Sequence, residues 1–366
     1  IDASGTANWN AGAGFKPIGN MTTGYSGAFN GNNNTISNLT INRPTETYVG
    51  LFGRGGLGGS IQNVGLMNVN ISGRGLVGGL VGFSQSYLSK TYVQGSVNGS
   101  YIVGGLVGQN QNLIVDSYST GSVTSDQDAV GGLVGLNEAG TISRSYSTST
   151  VNAGTYGQAG GLVGRHDANR SDISNSYATG NVTGGVSAGG LVGTQSIGTV
   201  IRNSYATGSV TGGGLDPDMV GALVGESDGR ITSSFWLAGA TRGIGTFYDP
   251  TKVNSLTRGL SSAEFKSTAT FTNAAWQVSA VGGADPNNNV WRIYEGNTGP
   301  LLLRLLTGLT LADSAVTYNG GTQQGTTTTD PRVQGSSASG RNAGSYASGY
   351  YSDQQGVDII GGSLTV

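Results

Sequence analysis

Apolar positions in this chain come in short pulses, not in helical or long alternating runs. Between residues 46 and 240 each period holds a Leu-Val pair set between glycines. A single Ile follows in T-I-S-x-S-Y, and then a single Val in G-S-V-T or N-V-T. Gly131–Ser149, G-G-L-V-G-L-N-E-A-G-T-I-S-R-S-Y-S-T-S, is the unit, and it recurs with small edits as Gly104–Gly121, Gly160–Gly180, Gly189–Gly208 and Gly221–Gly239. A looser copy runs from Gly78 to Gly95, and Gly50–Gly53 opens the first. On the second glycine of G-G-L-V-G the steps 79, 105, 132, 161 and 190 are 26, 27, 29 and 29 residues, with a further 32 to Ala222. The closing aromatic keeps similar time at Tyr92, Tyr118, Tyr146, Tyr177, Tyr205 and Phe235. A fixed period of this length means stacked supersecondary units. Three strands of three to six residues per period predict an all-β chain, a parallel β-helix whose coils pair about 4.8 Å apart. Leu, Val, Ile and Val line its interior.

One phase conflict stands out. In T-I-S-x-S-Y the Ile and the aromatic are four apart, so a flat strand puts both on one face. The residue between them (Asp116, Arg144, Asn175, Asn203, Ser233) would share that face, which a dry interior would not accept. Two readings follow. Either the strand bends there, with Asn175 and Asn203 stacking at the corner and the aromatics stacked inward, or the face is exposed. In the second case Tyr118, Tyr146, Tyr177 and Tyr205 form an outward ladder suited to stacking on sugar rings, and they are the candidate binding residues.

Around the repeats, residues 1–45 read as an N-terminal β lead-in and 46–242 as the β-helix proper. In that lead-in Ile36 is out of phase with Leu39 and Ile41, and Asn30–Asn34 carries strong turn signals. Residues 243–311 read as a small capping subdomain closing the open end of the stack. The capping box Ser261–Glu264 predicts one helix of about two turns, with Trp276, Trp291 and Leu301–Leu306 as its core. Residues 312–366 form a Gly/Ser/Thr-rich β module.

Composition narrows the function. With 18 Lys+Arg against 20 Asp+Glu and no basic run, the chain has no footprint for nucleic acid. No apolar run approaches the length of a membrane span, so no membrane insertion is expected. There is no Cys, hence no disulfide or thiolate metal site. The start at Ile1, without a signal peptide, reads as a mature or excised piece. The lone histidine, His166, stands where other coils carry Asn, Gln or Glu, and reads as a solvated turn residue. The D-x-D pairs Asp126/Asp128 and Asp216/Asp218 sit in lengthened loops; ordinary loop acids, a weak Ca²⁺ site and paired catalytic carboxylates are the readings for them, in falling order. Asp285–Asn289 starts like a Ca²⁺ loop but lacks its glycine, and Glu295 falls one position short of the closing ligand. No enzyme activity and no cofactor beyond that Ca²⁺ are expected.

The motif G-G-L-V-G-x-N-x-G-x-I-x-x-S-Y-A-T-G-x-V-T-G, best matched by Gly160–Gly184 and Gly189–Gly212, resembles the GLUG repeat of large bacterial surface proteins. Pro17–Ile41 resembles the segment that precedes such repeats, and Trp291–Leu302 the one that follows them. Ala315–Gly320 and Tyr351–Ile359 resemble the mostly-β glycine-rich (MBG-type) module of filamentous-haemagglutinin-like adhesins. The resemblance implies a right-handed β-helix in a secreted exoprotein at the cell surface or in the matrix. It also implies export through an outer-membrane secretion partner, and attachment to exopolysaccharide or to a host or cell-surface glycan or protein. It implies no catalytic residues.

Overall fold

The computed structural model describes residues 1–168, 171–212, 214, 216–239, 242–280, 288–352 and 356–366. It divides into two compact units, Ile1–Gly259 and Leu260–Val366.

The first unit is a parallel β-solenoid of about seven turns. Equivalent residues of successive coils pair in register: Val81, Val107, Val134, Val163, Val192, Val224 and Ile244 form one column. Among the described residues one wall is an eight-stranded parallel sheet running from Phe52–Gly55 to Ile244–Phe247. The other walls merge into a long sheet that carries the Ile and Val columns. The interior is continuous: Ile142, Ile173 and Ile201 stack on one another, as do Val151, Val182 and Val210, and all are buried. Each coil thereby closes the apolar face its neighbour cannot close alone.

The glycine pairs are set by the coil spacing. A Cβ on Gly132 would lie 2.1 Å from the Gly161 carbonyl oxygen of the next coil, and one on Gly161 would lie 2.1 Å from that of Gly190. A side chain there would force adjacent coils apart. Alanine enters this column only at Ala222, the last member.

The phase conflict in T-I-S-x-S-Y is resolved by a bend. Asp116, Arg144, Asn175, Asn203 and Ser233 all take left-handed φ, between 46° and 51°. That conformation is costly for most side chains and least so for Asn and Asp. It turns the chain at a corner and inverts the alternation beyond it. Ile173 therefore points in, Ser176 points in, Tyr177 points out, and Ala178 points in again. The same device, at Asn38 (φ 63°), brings Ile36 and Leu39 into register with the core.

The turn breaks the backbone ladder, and the serine after it repairs the break. Ser117, Ser145, Ser176, Ser204 and Ser234 are fully buried. Each Oγ donates to the carbonyl two residues back (2.8–2.9 Å) and accepts the serine N–H of the coil below, as from Ser145 N to Ser176 Oγ at 3.2 Å. The relay begins at Thr91, whose N–H reaches Ser117 Oγ, and ends at Thr257, which accepts from Ser234 N. Every serine hydroxyl in it both donates and accepts.

Residues before 28 make a degenerate first coil held by isolated bridges: Asp2 with Ser37, Ile18 with Phe52 and Tyr25 with Gly55, all parallel, and Gly14 antiparallel with Ile41.

In the second unit the capping box is present: Ser261 Oγ accepts from Glu264 N (3.3 Å) and Glu264 Oε2 accepts from Ser261 N (2.8 Å). The helix is shorter than expected. Ser262–Phe265 is a single turn, and after a break at Lys266 and Ser267 a second turn spans Thr268–Thr272. Phe271, Trp276 and Trp291 are buried, the last two stacked with centroids 4.9 Å apart. Thr307–Leu311 pairs parallel with Val357–Gly361. Buried Arg292 donates through Nε to Asp358 Oδ1 (2.9 Å), so residues on both sides of 311 share one unit. Asp353–Gln355 of the MBG-like stretch lie outside the described residues.

Replacing Ser176 by Ala strands the buried Ser145 N–H and should lower stability by about 1 to 3 kcal/mol. Ser176→Thr should cost less, because threonine already serves at both ends of the relay. Urea unfolding midpoints of the two variants check this.

Candidate functional site

Tyr118, Tyr146, Tyr177 and Tyr205 form one column with Tyr92. Successive ring centroids are 4.8–5.0 Å apart and the planes are within 4° of parallel. The spacing is that of the coils, so the column follows from in-register pairing of tyrosine on tyrosine. The rings lie on the outer side of the strand, since the next residue, Ala178 or Ala206, packs in the solenoid interior. The first expectation holds for the bend and for the closed, buried ring stack, though the column lies apart from the Ile and Val interior. The second, an exposed sugar-stacking ladder, is corrected: the column is not an open platform. Tyr118, Tyr146 and Tyr177 each have both ring faces covered by neighbouring rings, and Tyr205 has one face covered by Tyr177. Tyr146, Tyr177 and Tyr205 are buried. Burial pushes the Tyr118 phenol up to about 12, with the neighbouring Tyr92 adding to the shift, and holds Tyr146 and Tyr177 higher still. A sugar ring needs an exposed aromatic face, and these positions do not offer one.

His166 is also corrected, from solvated turn residue to fully buried member of a polar ladder. It pairs in register with Asn137 below and Gln195 above, with Asn110 and Ser227 one coil further in each direction. Asn110 Nδ2 donates to Asn137 Oδ1 (2.8 Å), and Ser227 Oγ donates to Gln195 Oε1 (2.9 Å). His166 Nε2 lies 3.3 Å from the Val200 carbonyl oxygen and Nδ1 lies 3.2 Å from Asn137 Nδ2. A carbonyl only accepts, so the proton sits on Nε2, and Nδ1 accepts from the Asn137 amide. Burial lowers the imidazole pKa to about 4, against smaller opposing contributions from the backbone of Val200 and of Asn137 and from the Asp167 carboxylate. The ring is neutral at pH 7 and has no access to a substrate.

The acidic pairs do not converge. Asp126 is exposed, and Asp128 faces Arg165 at 3.5 Å. Asp216 Oδ1 accepts from Asp218 N (3.0 Å) at the start of a short turn, and Asp218 pairs with Arg242 at 2.9 Å. Among the described residues no group of three or more His, Cys, Asp or Glu side chains could hold a metal. Asp285, Pro286 and Asn287 of the calcium-like loop lie outside the described residues. Glu295 Oε2 accepts from Thr268 N and Oγ1, both at 2.7 Å.

What the structure assembles instead is a flat polar face. The third strand of each coil reads polar–apolar–polar, with the apolar residue buried. Thr40, Asn70, Ser96, Ser122, Thr150, Asn181 and Ser209 fall in one outward column. Asn42, Ser72, Asn98, Thr124, Asn152, Thr183 and Thr211 fall in a second, two residues along. None of the fourteen carries a charge. Some pair within the array, as Ser96 Oγ with Ser122 Oγ at 3.1 Å. The side chains of Asn98, Thr124, Thr150, Asn152 and Thr183 bond to no other described residue and are left to solvent. The signal was visible in G-S-V-T and N-V-T, but its meaning depended on knowing which neighbours align across coils.

The GLUG motif matches residues 99–124, 127–152, 155–183 and 184–211. Four coils carry the GLUG repeat. The coils on either side of these segments pair in the same register, as at Val192 with Val224 and Tyr205 with Phe235. A stretch of 100 residues is 42% identical to Halomucin of Haloquadratum walsbyi, covering 26% of this chain and 1% of that protein. Another of 86 residues is 35% identical to a provisionally named Gly-rich membrane protein of Evansella cellulosilytica, covering 23% of this chain and 10% of that one. The chain thus spans a small part of the curated relatives it matches. A crystal structure of a candidate immunoglobulin A1 protease from Bacteroides ovatus aligns with a TM-score of 0.48 at 22% identity, covering 82% of this chain and 83% of that one. Among the described residues no helix is long and apolar enough to cross a membrane.

Two outcomes check this geometry. Tyr177→Ser should lower stability by about 3 to 5 kcal/mol, as removal of a buried aromatic does; an unchanged unfolding midpoint would return the column to the surface. For His166, the unfolded imidazole protonates near 6.5 and the folded one near 4. Its stabilisation is therefore complete above pH 6.5 and is lost as pH falls towards 4. At about 1.36 kcal/mol per pKa unit the full loss is about 3 kcal/mol. His166→Asn, which keeps an amide in the ladder, should remove that dependence when unfolding is measured across the range.

Proposed function

We propose that this chain is the ligand-presenting segment of a secreted or surface-exposed adhesin. It attaches cells to one another or to matrix by non-covalent binding of a glycan or another hydroxyl-rich polymer, as in a biofilm. The observation that carries the reading is the two-column face of Asn, Ser and Thr. It is uncharged and rigid, and its donors and acceptors are spaced by the coil repeat. A polymer with repeating hydroxyls can engage several coils at once, so weak single contacts add through effective concentration. The GLUG repeats, and the relatives named Halomucin and Gly-rich membrane protein, support a surface setting. Export through an outer-membrane partner belongs to the same proposal, and rests on the likeness to filamentous-haemagglutinin-type exoproteins.

We propose binding without turnover. The one imidazole is buried and neutral, and Asp128 and Asp218 each face an arginine. The regularity of the coils equally favours a structural spacer that holds binding tips elsewhere, and the same experiment separates the two. The whole chain is screened against neutral and acidic polysaccharides, with and without EDTA, and each candidate is assayed for depolymerisation. Binding without cleavage is expected. Thr150→Ala combined with Asn152→Ala should weaken it about tenfold, the loss of roughly one to two net hydrogen bonds. A silent screen would favour the spacer, and any cleavage of the polymer would overturn the reading.

A further inference from the structure

The polar face is bounded on one side by a corner where the chain passes from the tyrosine strand to the third strand. Corner positions in successive coils are Gly95, Gly121, Ser149, Gly180 and Gly208. At Gly121 and Gly208 the stacking requires glycine, since a Cβ on Gly121 would lie 2.1 Å from the Gly95 carbonyl oxygen and one on Gly208 would lie 2.0 Å from that of Gly180, whereas the coil between Gly121 and Gly180 carries Ser149. The consequence for the surface is a groove at the corner where glycine stands, interrupted at Ser149. One bank is formed by Gln94, Thr120, Thr148, Thr179 and Thr207, the other by the first polar column beginning at Ser96 and Ser122. Where the groove starts, it opens into a cavity of about 340 Å³, floored by Gly95 and Gly121 and lined by Met67, Asn68, Gln94, Ser96 and Ser122. That volume falls within the range of small-ligand sites.

We propose that this corner notch is a subsite for a neutral polysaccharide, whose chain continues along the groove parallel to the solenoid axis. The inference rests on the adhesin reading and names the place and the ligand class. No lining residue is charged, so nothing in the notch offsets the desolvation of a carboxylate, sulfate or amine. Gln94 is exposed, and its carboxamide both donates and accepts, as a sugar hydroxyl requires. Met67 is 40% exposed and offers an apolar patch for the C–H face of a pyranose. Asn68, in the lining of the notch, takes left-handed φ, and its Nδ2 donates to Asn38 Oδ1 (2.6 Å), which fixes its side chain. Towards the later coils buried Ser149 interrupts the glycines, which resume at Gly180 and Gly208, and the bank of threonines runs past all three.

The test compares the intact chain with Gln94→Arg and Met67→Asp by titration with cello-, manno- and xylo-oligosaccharides and with oligogalacturonate. The unfolding midpoint of each variant is measured alongside. The wild type is expected to bind at least one neutral series and not the acidic one. Each variant should weaken that binding tenfold or more with its midpoint unchanged. Neutral binding that survives both substitutions would overturn the notch and leave the adhesin reading standing. Binding confined to oligogalacturonate would overturn the neutral ligand class. No binding to any saccharide would remove the adhesin reading itself, and the notch with it.

Discussion

Everything in the first unit depends on one constraint: each coil must pair, residue on residue, with the coil above and below about 4.8 Å away. Whatever stands at a position is repeated at that spacing along the column. An apolar column becomes a dry interior, as at Ile142, Ile173 and Ile201. A tyrosine column becomes a face-to-face ring stack, because the spacing of the coils is also a workable spacing for aromatic rings. A glycine column lets carbonyls approach where a Cβ would collide.

The same constraint explains how the solenoid accommodates polar groups in its interior. A single buried serine or asparagine is expensive, but a column of them is satisfied by its own members. The serine relay from Thr91 to Thr257 carries one donor and one acceptor per coil past a turn that interrupts the backbone ladder. The carboxamide ladder does the same in the eight-stranded sheet, and His166 enters it because an imidazole also offers one donor and one acceptor. Its low pKa follows from that burial.

Function, in this picture, is left to what points out and is not consumed by stacking. The tyrosines are consumed, since their faces are spent on one another. The short polar residues around Val97, Val123, Val151 and Val182 are too small to stack and too far apart to satisfy one another fully. Their donors and acceptors stay available, and the corner glycines beside them leave a groove in place of a ridge. The binding surface is in that sense a by-product of the packing rules.

The sequence by itself determined the coil. The G-G-L-V-G spacing, the single Ile and the single Val prescribe three short strands and an apolar interior, because burial by stacking needs only periodicity and an inward residue per strand. The capping box of Ser261 and Glu264 was legible for the same reason: its partners are three residues apart. Tertiary structure alone decided which way the tyrosines face. Parity along T-I-S-x-S-Y depends on a left-handed residue at Asp116, Arg144, Asn175, Asn203 and Ser233, and only two of these five are asparagine. It also decided the burial of His166 and the meeting of Gln94 with Ser122 and Met67. Those neighbours are a whole coil apart in the chain, and they come together only when pairing fixes the register.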